Sequence, residues 1–236
     1  MSGQEQSEQC LLRPVAHIRS PFPAKFGVPR QSGLAPELRA RVVFTEDFRD
    51  GTALRGLEEF SHLWLIWQFS ANLEQGWSPT VRPPRLGGNE RRGVFASRSP
   101  FRPNPLGLSC MELLEIGRDG DGPYLLVAGA DLTDGTPIYD IKPYLPFSDS
   151  RPDARAGYAA AALEHKLQVV IPDGLLSQVP PDSRAALAQV LALDPRPGYQ
   201  QDPQRVYGLD FAGLRIRFRV EGDRLTVCAA EPLTVE

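Results

Sequence analysis

The sequence predicts a mainly β protein, an antiparallel β-barrel followed by a smaller α+β unit. Its 23 prolines and 21 glycines are spread over all 236 residues, which disfavours long helices and favours short strands joined by tight turns. Before about residue 150 no helical pattern is long enough to connect two parallel strands. The polar, proline-containing segment Pro146–Gly157 then separates two parts of different character. We therefore expect two domains, residues 1–150 and 151–236.

The first part contains seven short apolar segments with the alternation and turn signals of strands. They are Val15–Arg19, Ala40–Phe44, Phe60–Phe69, Gly93–Ala96, Leu108–Ile116, Tyr124–Ala130 and Ile138–Ile141. The third of these, Phe60–Phe69, is apolar at both alternating sets of positions, as in a strand that is covered on both faces. We therefore predict that its histidine, His62, is a buried core residue.

The second part predicts one strand, one helix and a closing meander of three strands. The helix is expected to begin after the capping residues Asp182 and Ser183 and to stop at Pro195 and Pro197. Its apolar positions recur at helical spacing, at Leu187, Val190, Leu191 and Leu193. The predicted strands are Leu167–Ile171, Arg205–Phe211, Leu214–Glu221 and Leu225–Ala229.

Composition excludes several classes of protein. The net charge is −3, so contact with a nucleic acid requires a local basic patch. The three cysteines lie far apart and the three histidines, His17, His62 and His165, are isolated, which disfavours a zinc site, a redox motif or a disulfide framework. No apolar run is long enough for a leader or a membrane span. We expect a cytoplasmic protein with no metal and no membrane association.

The common nucleotide-binding and hydrolase motifs do not occur, but three loop segments have an unusual composition. Lys25–Gly33 ends in small polar residues whose backbone can approach a ligand. Arg82–Leu108 contains a single acid, Glu90, and its prolines restrict the orientations of nearby side chains. Its arginines are Arg82, Arg85, Arg91, Arg92, Arg98 and Arg102. This second segment is interpreted as an anion or nucleotide site, or as a proline-rich turn with solvated arginines.

The third segment, Asp131–Asp149, places carboxylates beside a lysine and a phenol. Asp134 and Gly135 form a turn signal, and Asp140, Lys142 and Tyr144 follow closely. Such groups are suitable for general acid–base catalysis. The alternative is a turn stabilised by its own aspartates, with surface ion pairs that contribute little.

Five stretches together resemble one family, the tRNA adenine N6-methyltransferases called TsaA or TrmO. The stretches are KFGVPRQSG, RGLEEFSHLWLIW, GWSPTVRPPRLGGNERRGVFASRSPFRPNPLGLS, DLTDGTPIYDIKPYLPF and LDPRPGY. The resemblance extends from about Val15 to Leu233 and is densest between Pro29 and Pro146. It implies a homodimeric β-barrel methyltransferase that binds S-adenosyl-L-methionine without a nucleotide-binding sheet. It also implies a substrate, tRNA that carries N6-threonylcarbamoyladenosine next to the anticodon.

The resemblance assigns roles to individual residues. The cofactor-binding residues that it implies are Gln31, Ser32, Gly33, Phe69, Ser70, Arg98, Leu108, Leu132, Thr133, Asp134 and Gly135. At Phe69 and Ser70 the chain departs from the His-Gln pair of some relatives, and a side-chain donor is lost. The reacting nitrogen must lose a proton, so Asp140, Lys142 and Tyr144 are catalytic candidates, and the sequence does not choose among them. Expected substrate contacts are Arg91 and Arg92 to phosphates, Arg102 to the threonyl carboxylate, and Asn104.

A non-catalytic β-barrel that binds RNA or a nucleotide as a regulatory module is the alternative function. The composition and the clustered arginines fit both functions. The Gly33 loop, the Arg98 loop and the turn at Leu132–Gly135 favour the enzyme, because simple binding of a nucleic-acid backbone does not require all three.

Overall fold

The computed structural model describes residues 10–83, 90–162, 166–196 and 202–233, so Arg85, His165 and Pro197 lie outside the described residues. The strands, numbered in chain order, are β1 Ala16–Arg19, β2 Arg39–Phe44, β3 His62–Gln68, β4 Thr80–Val81, β5 Arg92–Gly93, β6 Leu106–Asp119, β7 Gly122–Ala128, β8 Pro137–Pro143, β9 Gln168–Val170, β10 Tyr207–Phe211, β11 Leu214–Glu221 and β12 Arg224–Pro232.

Six strands close a barrel in the order β1-β2-β7-β6-β3-β8, and every neighbouring pair is antiparallel. Alternate residues of each strand point inward, and these are the apolar ones. The barrel interior is fully buried at Ile18, Val42, Leu63, Leu65, Met111, Leu125, Val127 and Ile138. Strands β10, β11, β12 and β9 form a second sheet, in which β9 runs parallel to β12. The predicted fold class is confirmed.

The helices are short. They are α1 Pro146–Asp149, α2 Asp173–Leu176 and α3 Arg184–Ala192, with 3-10 turns at Glu46–Phe48, Gly51–Leu54, Leu57–Glu59, Ser70–Gln75, Val94–Ala96, Gly157–Ala162 and Pro181–Ser183. Helix α1 lies within Pro146–Gly157, where Pro146 occupies a position that suits the start of a helix. One detail of the sequence prediction was wrong here. Ser183 precedes α3, but its side chain makes no capping hydrogen bond.

Two predictions about the barrel strands were also wrong. Strand β3 is buried on one face only, because a single barrel leaves the outer face of each strand without a second layer. His62 therefore points outward and is exposed, and Ser61 Oγ lies 2.9 Å from its Nδ1. The predicted strand Gly93–Ala96 is a 3-10 turn after its first residue, since only Arg92 and Gly93 pair with β4.

Strand β6 leaves part of one edge without a neighbouring strand. Its first half, Leu106–Glu112, pairs with β3, and its second half, Glu112–Asp119, pairs with β7. The edge of the first half that faces away from β3 is therefore not used by a neighbouring strand. A loop can bond to backbone groups there.

The second unit packs against the segment that connects β1 to Ser32. The rings of Phe22 and Phe211 make an edge contact at 5.2 Å, and both side chains are fully buried. The backbone N–H of Ala212 donates to the carbonyl of Pro21 at 2.8 Å. A Cβ at Gly27 would overlap the Leu209 side chain, so the two units touch there without a gap. The C-terminal unit therefore braces the chain that leads to Ser32.

Candidate functional site

The loop Gln31–Gly33 lies against the open edge of β6. Ser32 Oγ accepts a hydrogen bond from the backbone N–H of Cys110 at 3.2 Å. The Gly33 N–H donates to the carbonyl of Gly129 at 2.9 Å. Gly33 has φ of +78°, and no atom lies within 4 Å of where a Cβ would be. The backbone at Gly33 therefore faces open space that a ligand can enter.

Arg98 closes one side of this space. Its guanidinium donates to Gln31 Oε1, which joins two of the predicted cofactor segments. Arg98 is exposed, whereas the turn that carries it is fixed locally: Ser97 Oγ donates to the Val94 carbonyl at 2.8 Å and accepts from the Ser99 N–H at 3.3 Å. A cation on a fixed turn, next to a glycine loop, is suitable for binding a carboxylate.

A half-buried carboxylate, Asp131, lies behind the loop. Ser109 Oγ donates to Asp131 Oδ1 at 2.7 Å, and Trp67 Nε1 donates to the same Ser109 Oγ at 2.9 Å. Burial raises the pKa of Asp131 to about 6, although the hydrogen bond from Ser109, the backbone N–H of Ser32 and the charge of Arg98 favour its ionised form. Asp131 is one of the third-segment carboxylates predicted to be suitable for acid–base catalysis, but the family resemblance assigns it no role.

The segment Leu132–Gly135 is held at the end of β1. The N–H groups of Asp134 and Gly135 donate to the carbonyls of Phe22 and Ile18, each at 2.8 Å. The Asp134 carboxylate accepts from the Ser20 N–H at 3.0 Å and lies 3.6 Å from the Arg19 guanidinium.

Leu132 is only 2% exposed, so only its backbone can reach a ligand. Thr133 Oγ1 lies 3.1 Å from Thr136 Oγ1, which fixes the turn internally. Gly135, with φ of +75°, has no neighbour where a Cβ would lie, so the backbone of this segment is open at one residue.

Phe69 and Ser70 follow β3 at the same end of the barrel. The Phe69 ring packs edge-on against Trp67 at 4.3 Å, and its N–H donates to the Pro105 carbonyl at 2.9 Å. Ser70 is exposed at the start of a 3-10 turn. Lys25 Nζ donates to the Ala71 carbonyl at 3.3 Å and to the Asn72 side chain, so the first loop reaches this turn as well.

The outer face of β6, β3 and β8 carries Leu108 and the catalytic candidates. Leu108 pairs with Ile66, and Ile66 pairs with Asp140, so Leu108 and Asp140 are about 10 Å apart across two strand spacings. Leu108 is 51% exposed. Asp140 forms an ion pair with Lys142, with Nζ and Oδ2 2.7 Å apart.

Lys142 and Tyr144 lie further from Leu108 than Asp140 does. Lys142 pairs with Trp64, which lies two residues before Ile66 on β3 and on the same outer face. The Tyr144 ring packs on Trp64 at 5.8 Å and on His62 at 6.2 Å between ring centres. Among the three candidates, Asp140 therefore lies nearest to Leu108, whereas Lys142 lies level with Cys110, which donates to Ser32.

The predicted substrate residues are distributed around the arginine-rich loop. Arg102 is half-buried, and its Nη1 donates to the carbonyls of Ser97 and Ser99 at 3.0 and 3.2 Å, so it also holds its own loop. Asn104 is exposed. Arg91 Nη1 donates to Thr80 Oγ1 at 3.3 Å, and Arg92 pairs with Glu90 at 2.6 Å.

Sequence reasoning missed a set of polar and aromatic residues beside the site: Trp67, Gln68, Ser109 and Tyr139. The register of β3 against β8 shifts so that Tyr139 is an extra, bulged residue, and its hydroxyl donates to Gln68 Oε1 at 2.8 Å. A Cβ at Gly107 would overlap the Trp67 indole, which explains a glycine inside a strand. The only sequence signal for this set was the pair of tryptophans in β3.

The structure thus brings Gln31, Ser32, Gly33, Arg98 and Asp131 into one cluster, and links the remaining segments to it through Lys25, Pro105 and Phe22. In the described ranges no group of three or more metal-ligating side chains lies together. No described helix is long and apolar enough to cross a membrane. The cluster offers an exposed cation, open glycine backbone and an exposed apolar side chain at Leu108. This combination fits a ligand with a carboxylate and a nucleoside.

Fold and candidate site together define a class, a small closed β-barrel with a candidate ligand site formed by loops at one end. Comparison with known proteins gives the family. The N-terminal domain of tRNA-methyltransferase O (TrmO) matches residues 17–150, and the TrmO C-terminal domain matches residues 164–233. The chain belongs to the TrmO family.

Relatives and solved structures agree with this assignment. A tRNA (adenine(37)-N6)-methyltransferase of Escherichia coli strain K12 is 44% identical over 226 residues, covering 92% of this chain and 96% of the relative. A putative S-adenosylmethionine-dependent methyltransferase of Pseudomonas aeruginosa is 41% identical over 226 residues, covering 88% and 91%. A crystal structure of TrmO from Pseudomonas aeruginosa is 30% identical with a TM-score of 0.75, covering 94% of this chain and 98% of that one.

Proposed function

We propose that this protein is an S-adenosyl-L-methionine-dependent methyltransferase that methylates N6 of N6-threonylcarbamoyladenosine, next to the anticodon of tRNA. The observation that carries the proposal is the convergence of the Gln31–Gly33 loop, Arg98 and the Asp131–Gly135 segment at one end of the barrel. The name of the Escherichia coli relative supports the reaction and the position in tRNA. The threonylcarbamoyl group follows from the family resemblance.

The cofactor residues divide into three chemical functions. Arg98 is the cation for the amino-acid carboxylate, because its guanidinium is exposed and already oriented by Gln31. The backbone at Gly33 and Gly135 has free space beside it, so its polar groups can form hydrogen bonds with the edge of an adenine. Leu108 provides exposed apolar surface on β6, two residues from Cys110, whose N–H donates to Ser32. When bound, S-adenosyl-L-methionine supplies the methyl group.

Asp140 is the general base in this proposal. In methyl transfer the new N6–C bond would replace the bond between that methyl carbon and the sulfonium sulfur, whose electron pair would stay on the sulfur. The N6 proton would pass to the Asp140 carboxylate. Lys142 Nζ lies 2.7 Å from Asp140 Oδ2, so this ion pair would orient the carboxylate. Tyr144 and Trp64 provide an aromatic surface on the same outer face, suitable for stacking an unpaired base.

Asp140→Asn tests this role. We expect kcat for methyl transfer to fall by about 10²–10⁴, the usual contribution of a general base, with little change in the KM for S-adenosyl-L-methionine. Stability should change little, because both partners of the ion pair are about half exposed. The matched control is Asp119→Asn, at the opposite end of β6. A normal kcat in Asp140→Asn would leave Lys142 and Tyr144 as the candidates.

The arginine-rich loop is the proposed tRNA contact. Arg91 and Arg92 lie next to each other at the surface and would bind phosphates, a salt-sensitive interaction. Arg102 is held in place by two carbonyl groups of its own loop, so it would present a fixed cation to the threonyl carboxylate. Asn104, exposed in the same loop, would contact the modified base.

Assembly and organisation are part of the same proposal. We propose a homodimer in the cytoplasm, with domains at residues 1–150 and 151–236. Exposed aromatic and apolar side chains at Leu73, Trp77 and Phe95 give the described surface an apolar component that a second copy could cover. Light scattering checks the dimer, and a monomer with full activity would contradict it.

The alternative, a non-catalytic RNA-binding barrel, uses the same arginines but gives no role to Asp140 or to the backbone at Gly33. Transfer of a methyl group to tRNA distinguishes the two functions.

A further inference from the structure

Asp131 is a carboxylate with a strongly raised pKa, and it has no part in the proposed reaction. It lies beside the loop Gln31–Gly33 and interacts with groups from several elements. Ser109 of β6 donates to it at 2.7 Å, and Trp67 of β3 donates to Ser109 at 2.9 Å. Ser109 is only 1% exposed and Trp67 only 8%, so this chain of hydrogen bonds is shielded from water.

Two further interactions connect Asp131 to the face where the cofactor is proposed to bind. The backbone N–H of Ser32 interacts with the carboxylate, and the Arg98 charge acts on it from the arginine-rich loop. Ser32 is held on its other side by Cys110, whose N–H donates to Ser32 Oγ. The loop is therefore fixed at the Ser32 side chain by β6 and at the Gly33 backbone by the Gly129 carbonyl, with the Asp131 carboxylate facing the Ser32 N–H.

We propose that Asp131 is the positioning residue of the cofactor site, which in its ionised form holds the Ser32 loop and Arg98 in the arrangement that binds S-adenosyl-L-methionine. This inference rests on the proposed function. Asp131 acts through Ser32 and Arg98 and does not touch the reacting atoms. Loss of its charge would remove the anion that faces Arg98 and the Ser32 N–H, and would weaken the hydrogen bond from Ser109, since bonds to a charged acceptor are the stronger ones.

The proposal predicts how cofactor affinity depends on pH. The pKa of Asp131 is raised to about 6, so the carboxylate is ionised above that pH and protonated below it. The groups that face it are the Arg98 guanidinium, the Ser109 hydroxyl and the Ser32 N–H. If only the ionised form binds, the apparent Kd should rise by up to about tenfold as the pH falls from about 7 to about 5.

Calorimetric titration with S-adenosyl-L-methionine across this pH range tests the proposal. The α-carboxyl and α-amino groups of the ligand titrate outside the range, so a midpoint near pH 6 in the wild type belongs to the protein. In Asp131→Asn the Kd should be higher than in the wild type at neutral pH and should not depend on pH. Asp119→Asn, which alters a carboxylate paired with Arg41 at the far end of β6, should keep the wild-type profile.

The outcomes separate the inference from the proposed function. A wild-type protein that binds S-adenosyl-L-methionine with the same Kd at every pH overturns the role of Asp131 and leaves the methyltransferase proposal intact. No binding at any pH overturns both. The wild-type profile decides the question even if Asp131→Asn does not fold.

Discussion

Phe211→Ala is expected to lower the free energy of unfolding by about 3–5 kcal/mol, the cost of removing a large aromatic ring from a well-packed core. Phe211 is fully buried and packs edge-on against Phe22 at 5.2 Å, where the second unit meets the barrel. Urea unfolding measures the change. Because the same contact braces the chain that leads to Ser32, we also expect weaker binding of S-adenosyl-L-methionine in conditions where the variant is folded.

Phe147→Ala is the matched control for this variant. Phe147 is 84% exposed, so its removal should change the free energy of unfolding by no more than about 0.5 kcal/mol. If Phe211→Ala costs less than about 1 kcal/mol, the ring does not fill a well-packed interface, and the second unit does not brace the cofactor loop as we describe.

Arg98→Ala has the second large expected effect, on cofactor binding. Losing one charge-assisted hydrogen bond costs roughly 1.5–3 kcal/mol, so the Kd for S-adenosyl-L-methionine should rise by about tenfold to a hundredfold. The fold should be unaffected, because Arg98 is exposed. Arg98→Lys keeps the charge but not the planar fork, so it should recover only part of the affinity.

Arg217→Ala is the control, since Arg217 is exposed and pairs with Glu231 on the second sheet. Its Kd should equal that of the wild type. An unchanged Kd in Arg98→Ala would show that the carboxylate of the cofactor is bound by another group, and would remove the main reason for placing the site beside Gln31.

The sequence predicted the barrel because each strand carries its own signal. Alternating apolar residues and glycine or proline turns are local features, and they mark the strands Ala16–Arg19 and Gly122–Ala128 to within a few residues. Closure of the sheet is not local. The outward exposure of His62 depends on which strands pair with β3, and the apolar outer residues of β3 suggested a covering layer that the barrel does not have.

The candidate site was predicted from unusual residue combinations, and its connections were not. Glycine and arginine patterns indicated the loops at Gly33 and Arg98, because special backbone conformations and clustered cations are visible in a sequence. The bond from Ser109 to Asp131 joins residues 22 positions apart, and that from Cys110 to Ser32 joins residues 78 positions apart. Such pairs follow from strand register, so the environment of Asp131 became apparent only in the folded chain.

Direct analysis of the methylated nucleoside tests the central claim. The purified protein is incubated with S-adenosyl-L-methionine and tRNA from cells with and without the threonylcarbamoyl modification. The tRNA is then digested to nucleosides, which are identified by mass spectrometry. We predict that N6-threonylcarbamoyladenosine gains one methyl group, that the gain requires S-adenosyl-L-methionine, and that unmodified adenosine is a poor substrate. Equal methylation of both tRNA pools would contradict the proposed substrate, and tRNA binding without any methyl transfer would contradict the enzyme itself.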